Sequence, residues 1–172
     1  MKKGFTLIEL LVVVLIIGIL TAIVVPQYQY VVYKSRYTQL ISVVENVVNA
    51  QERYRLAMGE YSVKFDTLDI DMPTDGRYST SSNSDAIVYP KFTVSIIGSP
   101  HNVAIARVKI SSSASSSDDL SYYHYYSSGS SSTNQRQCRC ESEEACKICE
   151  KLGAVYSGIF SGSNTKNYLF NR

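Results

Sequence analysis

The chain changes its pattern of apolar and polar positions three times. From residue 5 to residue 25 polar positions almost vanish: 16 of these 21 residues are Phe, Leu, Ile or Val. A helix of that length spans about 30 Å, the thickness of a bilayer's hydrocarbon core. Val12, Val13, Val14, Ile16, Ile17 and Ile19 are β-branched and would be indifferent helix formers in water. In lipid the backbone has no water to bond, so the helix must form. Lys2 and Lys3 precede the span, which puts the N-terminus on the cytoplasmic side and the remainder outside.

From residue 26 a one-sided pattern takes over. Pro26 cannot donate to the carbonyl of Ala22, which ends a helix or kinks it. Helical spacing resumes at once, with Tyr30, Tyr33, Tyr37, Leu40, Val44, Val47, Tyr54 and Met58 at steps of three or four and Gln51 as the single polar gap. Lys34, Arg36, Gln39, Glu45, Asn46, Asn49, Glu52 and Arg53 take much of the other surface, and Gly59 stands where a helix stops. The expectation is one bent helix over residues 5–58, lipid-compatible in residues 5–25 and packed on a globular head through one stripe in residues 26–58.

The head, residues 59–172, reads as a small antiparallel sheet with polar loops. Residues 60–73 form a connecting loop. Its acids Asp66, Asp69 and Asp71, with Asp75 just beyond it, lack the ligand alternation of a calcium loop and read as solvated. Strands are expected over residues 87–97 and 103–110, joined by a hairpin loop at Gly98-Ser99-Pro100-His101-Asn102. In the second strand Arg107 and Lys109 face away from Val108 and Ile110. Residues 111–117 and 127–132 are Ser-rich linkers. Between them Tyr122, Tyr123, His124, Tyr125 and Tyr126 make an aromatic strand, and residues 154–160 and 166–170 are candidate final strands. His124 has no catalytic set at matching spacing and reads as structural.

Glu9 does not belong in an apolar span. A charge there costs several times what one aliphatic residue gains, although the 16 strongly apolar residues outweigh it. Either the side chain snorkels to the headgroups or it pairs with a cation. An ordinary secretory signal would put its small residues after the apolar run and would be discarded. Here the polar leader is residues 1–4, and the small residue, Gly4, comes before the run. Cleavage after Gly4 would keep the hydrophobic segment and create an ammonium on Phe5, one turn from Glu9.

The stretch Lys2-Lys3-Gly4-Phe5-Thr6-Leu7-Ile8-Glu9-Leu10-Leu11 resembles the cleavage and methylation motif of type IV prepilins and type II secretion pseudopilins. The resemblance covers roughly residues 1–60. It implies the α+β pilin fold, in which a long kinked N-terminal helix packs on a small antiparallel sheet and the C-terminal region is stapled by disulfides. It implies cutting after Gly4 by a prepilin peptidase, methylation of Phe5, and pairing of Glu9 with a neighbouring subunit's N-terminus during assembly. It also implies a segment around Gly18 and Pro26 where the helix loosens in the filament. The precursor would be a single-pass inner-membrane protein served by a pilus or secretion assembly machinery. The mature form would sit in an extracellular or periplasmic helical filament of its own copies.

The four cysteines follow Cys138-x-Cys140-x5-Cys146-x2-Cys149. Ser142 can cap a short helix, Glu143 and Glu144 suit its first turn, Lys151 its last, and Gly153 ends it. Cys146 and Cys149 then share a helix face, and Cys138 and Cys140 share a strand face. Two sulfurs facing two serve a tetrahedral zinc site as well as two disulfides. Export of this segment to an oxidising compartment favours disulfides. The hairpin-like return favours nested pairs, Cys140 with Cys146 and Cys138 with Cys149, without fixing the connectivity. Pilins of the resembled family often close a C-terminal loop with one disulfide; four cysteines depart from that single pair.

Composition narrows the function. The net charge is +2, and Lys2 and Lys3 account for it. No basic groove for DNA follows, and no nucleic acid, metal or cofactor is expected. The expected function is structural, a subunit of a type IV pilus, with a type II pseudopilin as the nearest alternative. A minor pilin that stacks bases on residues 122–126 would need flanking Lys or Arg. An anchored zinc hydrolase would need an open metal position, which four thiolates close, so no enzyme is expected.

Overall fold

The computed structural model describes residues 6–108, 120–126, 134–160 and 164–171. Helix α1 is Leu7–Met58, and it runs unbroken through positions 18 and 26. The amphipathic pattern therefore prevails over Pro26 as a stop. Gly59 ends it at φ +84°, with its amide donating to the carbonyl of Arg55 at 2.8 Å, a left-handed cap that favours glycine. The chain forms two units, Met1–Ser35 and Arg36–Arg172, and α1 contributes to both.

In the second unit an eight-stranded antiparallel sheet runs in the order β1-β2-β3-β4-β5-β6-β8-β7. The strands are β1 Arg77–Ser81, β2 Ser84–Val88, β3 Phe92–Ile97, β4 Val103–Val108, β5 Leu120–Tyr125, β6 Arg136–Cys140, β7 Ala154–Ile159 and β8 Lys166–Phe170. Helix α2, Glu143–Lys151, follows β6. Strand β8 inserts between β6 and β7, which leaves β7 as an edge. Residues 98–102 join β3 to β4, with Asn102 at φ +43°. Lys109, Ile110 and the Ser-rich stretches 111–117 and 127–132 lie outside the described residues.

The expected single strand over 87–97 is two. The chain turns back at Tyr89, Pro90 and Lys91, where Pro90 has no N–H for a ladder and the Tyr89 amide donates to the Phe92 carbonyl at 2.9 Å. Ile87 and Val94 thus become cross-strand partners. Strand β1 carried no apolar alternation to announce it: all five residues are exposed, and its pairing is with β2 alone.

One face of the sheet meets α1. A row of paired positions crosses six strands: Ile87, Val94, Ala106, Tyr122, Cys138 and Tyr168, every one buried. Over it lie Tyr37, Leu40, Val44, Val47 and Ala50 of α1, also buried. Each fully buried aliphatic side chain here contributes about 1.5–3 kcal/mol. Tyr37 stands edge-on to Tyr122 at 6.3 Å, and its hydroxyl donates to Cys138 Sγ at 2.8 Å.

The helical stripe ends earlier than its spacing predicts. Tyr54 is half-buried and Met58 is 67% exposed. Gln51, the polar gap, is instead completely buried. Its Nε2 donates to the Ser62 carbonyl at 2.8 Å and its Oε1 accepts from the Ser62 amide at 3.0 Å. This double bond clamps the connecting loop to the helix. Farther along, a 3-10 turn at Phe65–Thr67 inserts the buried Phe65, whose amide donates to Asp85 Oδ2 at 2.9 Å. Asp69 lies outside on Arg53 at 2.7 Å. Among the described residues no group of three His, Cys, Asp or Glu is arranged to hold a metal.

Gln51→Leu keeps a long side chain at this buried site but strands the backbone N–H and C=O of Ser62. We expect a loss of about 1–3 kcal/mol in denaturant unfolding. An unchanged midpoint would mean that Ser62 finds other partners.

Candidate functional site

In the first unit the surface of α1 is the notable feature. Every Leu, Ile and Val from position 7 to 25 is between 45% and 85% exposed. The apolar surface goes all the way round, far beyond the patches that soluble monomers carry. Such a helix is stable only in lipid or among neighbours on every side.

The polar side chains in this stretch are bonded within the helix. Thr6 precedes the first helical residue, and Glu9 is the third inside it. Glu9 Oε2 accepts from the Thr6 amide at 2.8 Å and from the Thr6 hydroxyl at 2.7 Å. The Glu9 amide points back to Thr6 Oγ1 at 3.4 Å. This is a capping box, in which Thr-x-x-Glu satisfies donors that a helix start leaves open. The four-residue signature Thr6-Leu7-Ile8-Glu9 stands in the sequence, where the charge of Glu9 in an apolar run masks its capping role. Farther in, the Thr21 hydroxyl donates to the Ile17 carbonyl, the usual way for a hydroxyl to be accommodated in a helix. Gly4 and Phe5 lie outside the described residues.

The cysteines come together through α2. Ser142 Oγ accepts from the Ala145 amide at 3.3 Å, Glu143 and Glu144 fill the first turn and Lys151 the last, and Gly153 follows at φ +86°. This fixes Cys146 and Cys149 over the strand face that carries Cys138 and Cys140. Cys138 is bonded to Cys149 and Cys140 to Cys146, with Cα separations of 5.8 and 5.2 Å. The pairs are nested, and all four sulfurs belong to buried residues. No free cysteine remains among them, so the sulfurs are committed to disulfides and are not zinc-binding thiolates. Through the Tyr37 hydroxyl the staple also touches α1.

His124 lies in a cluster that spacing does not reveal. Glu45 Oε1 accepts from the Tyr122 hydroxyl at 2.6 Å and faces His124 Nδ1 at 3.0 Å. The partners are 77 and 79 residues apart in the chain, too far for any local motif. Burial pulls the Glu45 carboxyl up, yet the hydrogen bonds of His124 and Tyr122 and the charges of His124 and Arg136 hold it below the usual range. Burial and then Glu45 push the Tyr122 hydroxyl far up, so it stays a donor. The cluster ties α1 to β5.

The aromatic run 122–126 is not one surface. Tyr122 and Tyr126 are buried and, with His124, lie toward α1 and the connecting loop. Tyr123 and Tyr125 lie on the opposite face with rings stacked at 6.4 Å. The Arg139 guanidinium lies 3.9 Å from the Tyr123 ring centre and 4.2 Å from that of Phe160, and donates to the Tyr125 hydroxyl at 2.9 Å. Arg139 thus occupies ring surface that a stacked base would need.

Residues 1–25 match the family model described as the prokaryotic N-terminal methylation motif. The chain is similar to a fimbrial protein of Pseudomonas aeruginosa, 51% identical over 51 residues, which cover 30% of this chain and 33% of that one. It is similar to the type IV major fimbrial protein FimA of Dichelobacter nodosus, 55% identical over 42 residues, 24% of this chain and 27% of the relative. A fimbrial protein of Neisseria meningitidis is 35% identical over 83 residues, 47% of this chain and 49% of the relative. The matched part thus spans between about a quarter and a half of these curated relatives. No solved structure matches the chain.

Because the folded Glu45 carboxyl titrates below its ordinary value of 4.5, its contribution is present above that value and is lost as pH falls through the lower folded one. Glu45→Gln should be less stable than the parent at about pH 7, and should lose less on going to about pH 3. Denaturant midpoints at both pH values check this, and parallel pH profiles for the two proteins would contradict it.

Proposed function

We propose that this chain, whose N-terminal segment and fold are those of the type IV pilin family, is a structural subunit of an extracellular type IV pilus. The family is a structural one and not a family of enzymes. The observation that carries the reading is the helix surface exposed on all sides over residues 7–25, behind a methylation motif. Such a segment is lipid-stable in a precursor and, once drawn out of lipid, requires copies of itself around it.

In this reading a prepilin peptidase cuts after Gly4 and methylates Phe5. The chain is held in the inner membrane with Lys2 and Lys3 cytoplasmic and the head outside, where oxidising conditions suit the two disulfides. An assembly machinery in that membrane then feeds subunits into a helical filament whose core is built from residues 5–25. Glu9 exchanges its Thr6 partners for the α-ammonium of a neighbouring subunit. The helix loosens around Gly18, whose surroundings are open, and Pro26, which offers no N–H to the carbonyl of Ala22. The nearest alternative is a pseudopilin, which would share all of this. The fimbrial names of the relatives favour the surface pilus.

Gly4→Leu is expected to leave the precursor uncut, so N-terminal sequencing of membrane protein should then begin at Met1 and not at Phe5. Glu9→Ala should be processed and inserted normally, yet sheared surface filaments should fall by about tenfold or more, the scale of a lost charged pair in a dry site. Wild-type filament yield from Glu9→Ala would remove its assembly role, and filaments retained in the envelope would point to the pseudopilin.

A further inference from the structure

The outward apolar surface of α1 does not stop where the all-round span stops. Val24, Tyr28 and Val31 are 58%, 68% and 60% exposed, and steps of four and three place them on one helix face. Gln27 and Gln29 are exposed as well, so beyond residue 25 this apolar surface narrows to a single stripe. Tyr30 and Tyr33 are half-buried and, by helical spacing, lie toward the other side. Tyr28 and Val31 therefore form a short apolar extension continuous with the lipid-compatible span, and that continuity argues for lipid as its occupant.

Two placements of the helix in a bilayer compete. If residues 5–25 fill a hydrocarbon core of about 30 Å, Glu9 lies four residues inside it, about 6 Å below the headgroups. Tyr28 and Val31 then stand about 4.5 and 9 Å out on the far side. If Glu9 is instead at one boundary, the other falls 19 residues on, about 28 Å away, at Tyr28.

The second placement answers three demands at once. The Glu9 carboxylate meets headgroup water, where an intramembrane charge costs least. The Tyr28 ring lies at the depth tyrosine favours, ring toward the acyl chains and hydroxyl among the headgroups. Val31, one turn farther, enters the interfacial layer. Leu7 and Ile8 move into the opposite interfacial layer in return, and Pro26 enters the span, where a proline is tolerated.

We propose that Tyr28 and Val31 are an interfacial anchor for the lipid bilayer, seated in one headgroup layer and holding Glu9 in the other. The hydrocarbon span is then residues 10–27. This rests on the membrane-held precursor of the proposed function and not on filament formation.

The chain contains no Trp, so one introduced indole reports its own depth. Leu15→Trp, Ile19→Trp and Tyr28→Trp each change an exposed position. Each full-length precursor is placed in phosphatidylcholine vesicles brominated either near the headgroup or near the chain end, and fluorescence quenching is read. Ile19→Trp is expected about 4.5 Å nearer the bilayer centre than Leu15→Trp, with Tyr28→Trp quenched by the headgroup-side bromine. Adding Tyr28→Ser and Val31→Ser to the Leu15 and Ile19 reporters should reverse their order. Leu15→Trp as the deeper reporter in the parent, or an order unmoved by the serine pair, would overturn the anchor. So would Tyr28→Trp quenched by aqueous iodide alone, or shielded from iodide and bromine together, which would mean that a second copy covers the face. Absence of bromine quenching at all three positions would remove the membrane-held precursor itself, and the anchor with it.

Discussion

A helix can enter hydrocarbon only if its polar groups are bonded before it arrives. The first unit meets that condition along its length. The capping box between Thr6 and Glu9 closes the helix start, and the Thr21 hydroxyl returns to the carbonyl of Ile17. What remains outward is aliphatic surface on every side. Burying it in lipid and burying it among identical helices are chemically similar outcomes, since both remove apolar area from water and neither asks for a new polar partner. The same residues can therefore anchor a precursor and, on the proposed reading, build a filament core.

The second unit solves the opposite problem, holding a half-polar helix on a sheet. The stripe from Tyr37 to Ala50 supplies the apolar contact, and polar ties stand around it. Gln51 holds the connecting loop, and Glu45 holds β5. The Tyr37 hydroxyl reaches the disulfide that joins β6 to α2. Each tie joins α1 to a different part of the head, so the loop, the sheet and the staple are all fixed to α1. A core this thin, one helix deep over one sheet, gains from covalent bracing at its C-terminal end.

Much of this was legible because it is periodic or local. The spacing of Tyr37, Leu40, Val44 and Val47 gives the buried face, Ser142 and Gly153 bracket α2, and β8 falls on the candidate strand at 166–170. The nested disulfides are those the hairpin-like return of the chain favours. Other features were hidden for definable reasons. β1 has no apolar alternation because neither of its faces is buried. Pro90 stood inside a run read as continuous, where its missing N–H marks a turn. Gln51 looked like a fault in the stripe because its partners are backbone groups of Ser62, which side-chain patterning cannot register. Glu45, Tyr122 and His124 meet only after the sheet has folded. Met58 kept the helical period but passed the end of the surface it would have packed on.

The role of Glu9 turns on which partner it holds. As a capping-box residue it is already bonded, with a neutral amide and a neutral hydroxyl as donors. That explains how an acid can sit near a bilayer without a cation, and it removes the need to assume one in the precursor. On the proposed reading, in which Glu9 pairs with a neighbouring subunit's new N-terminus, it also sets a condition on assembly. An incoming ammonium must displace Thr6, and a charged donor does so because its hydrogen bonds are roughly twice as strong as neutral ones. The advantage grows when surrounding aliphatic side chains exclude water, since the attraction between opposite charges rises as the local dielectric falls. The exchange is thus weakest for an isolated subunit in contact with water and strongest inside a closed helical core. A carboxylate that is self-satisfied when alone and better satisfied when surrounded favours packing of copies over premature pairing in solution.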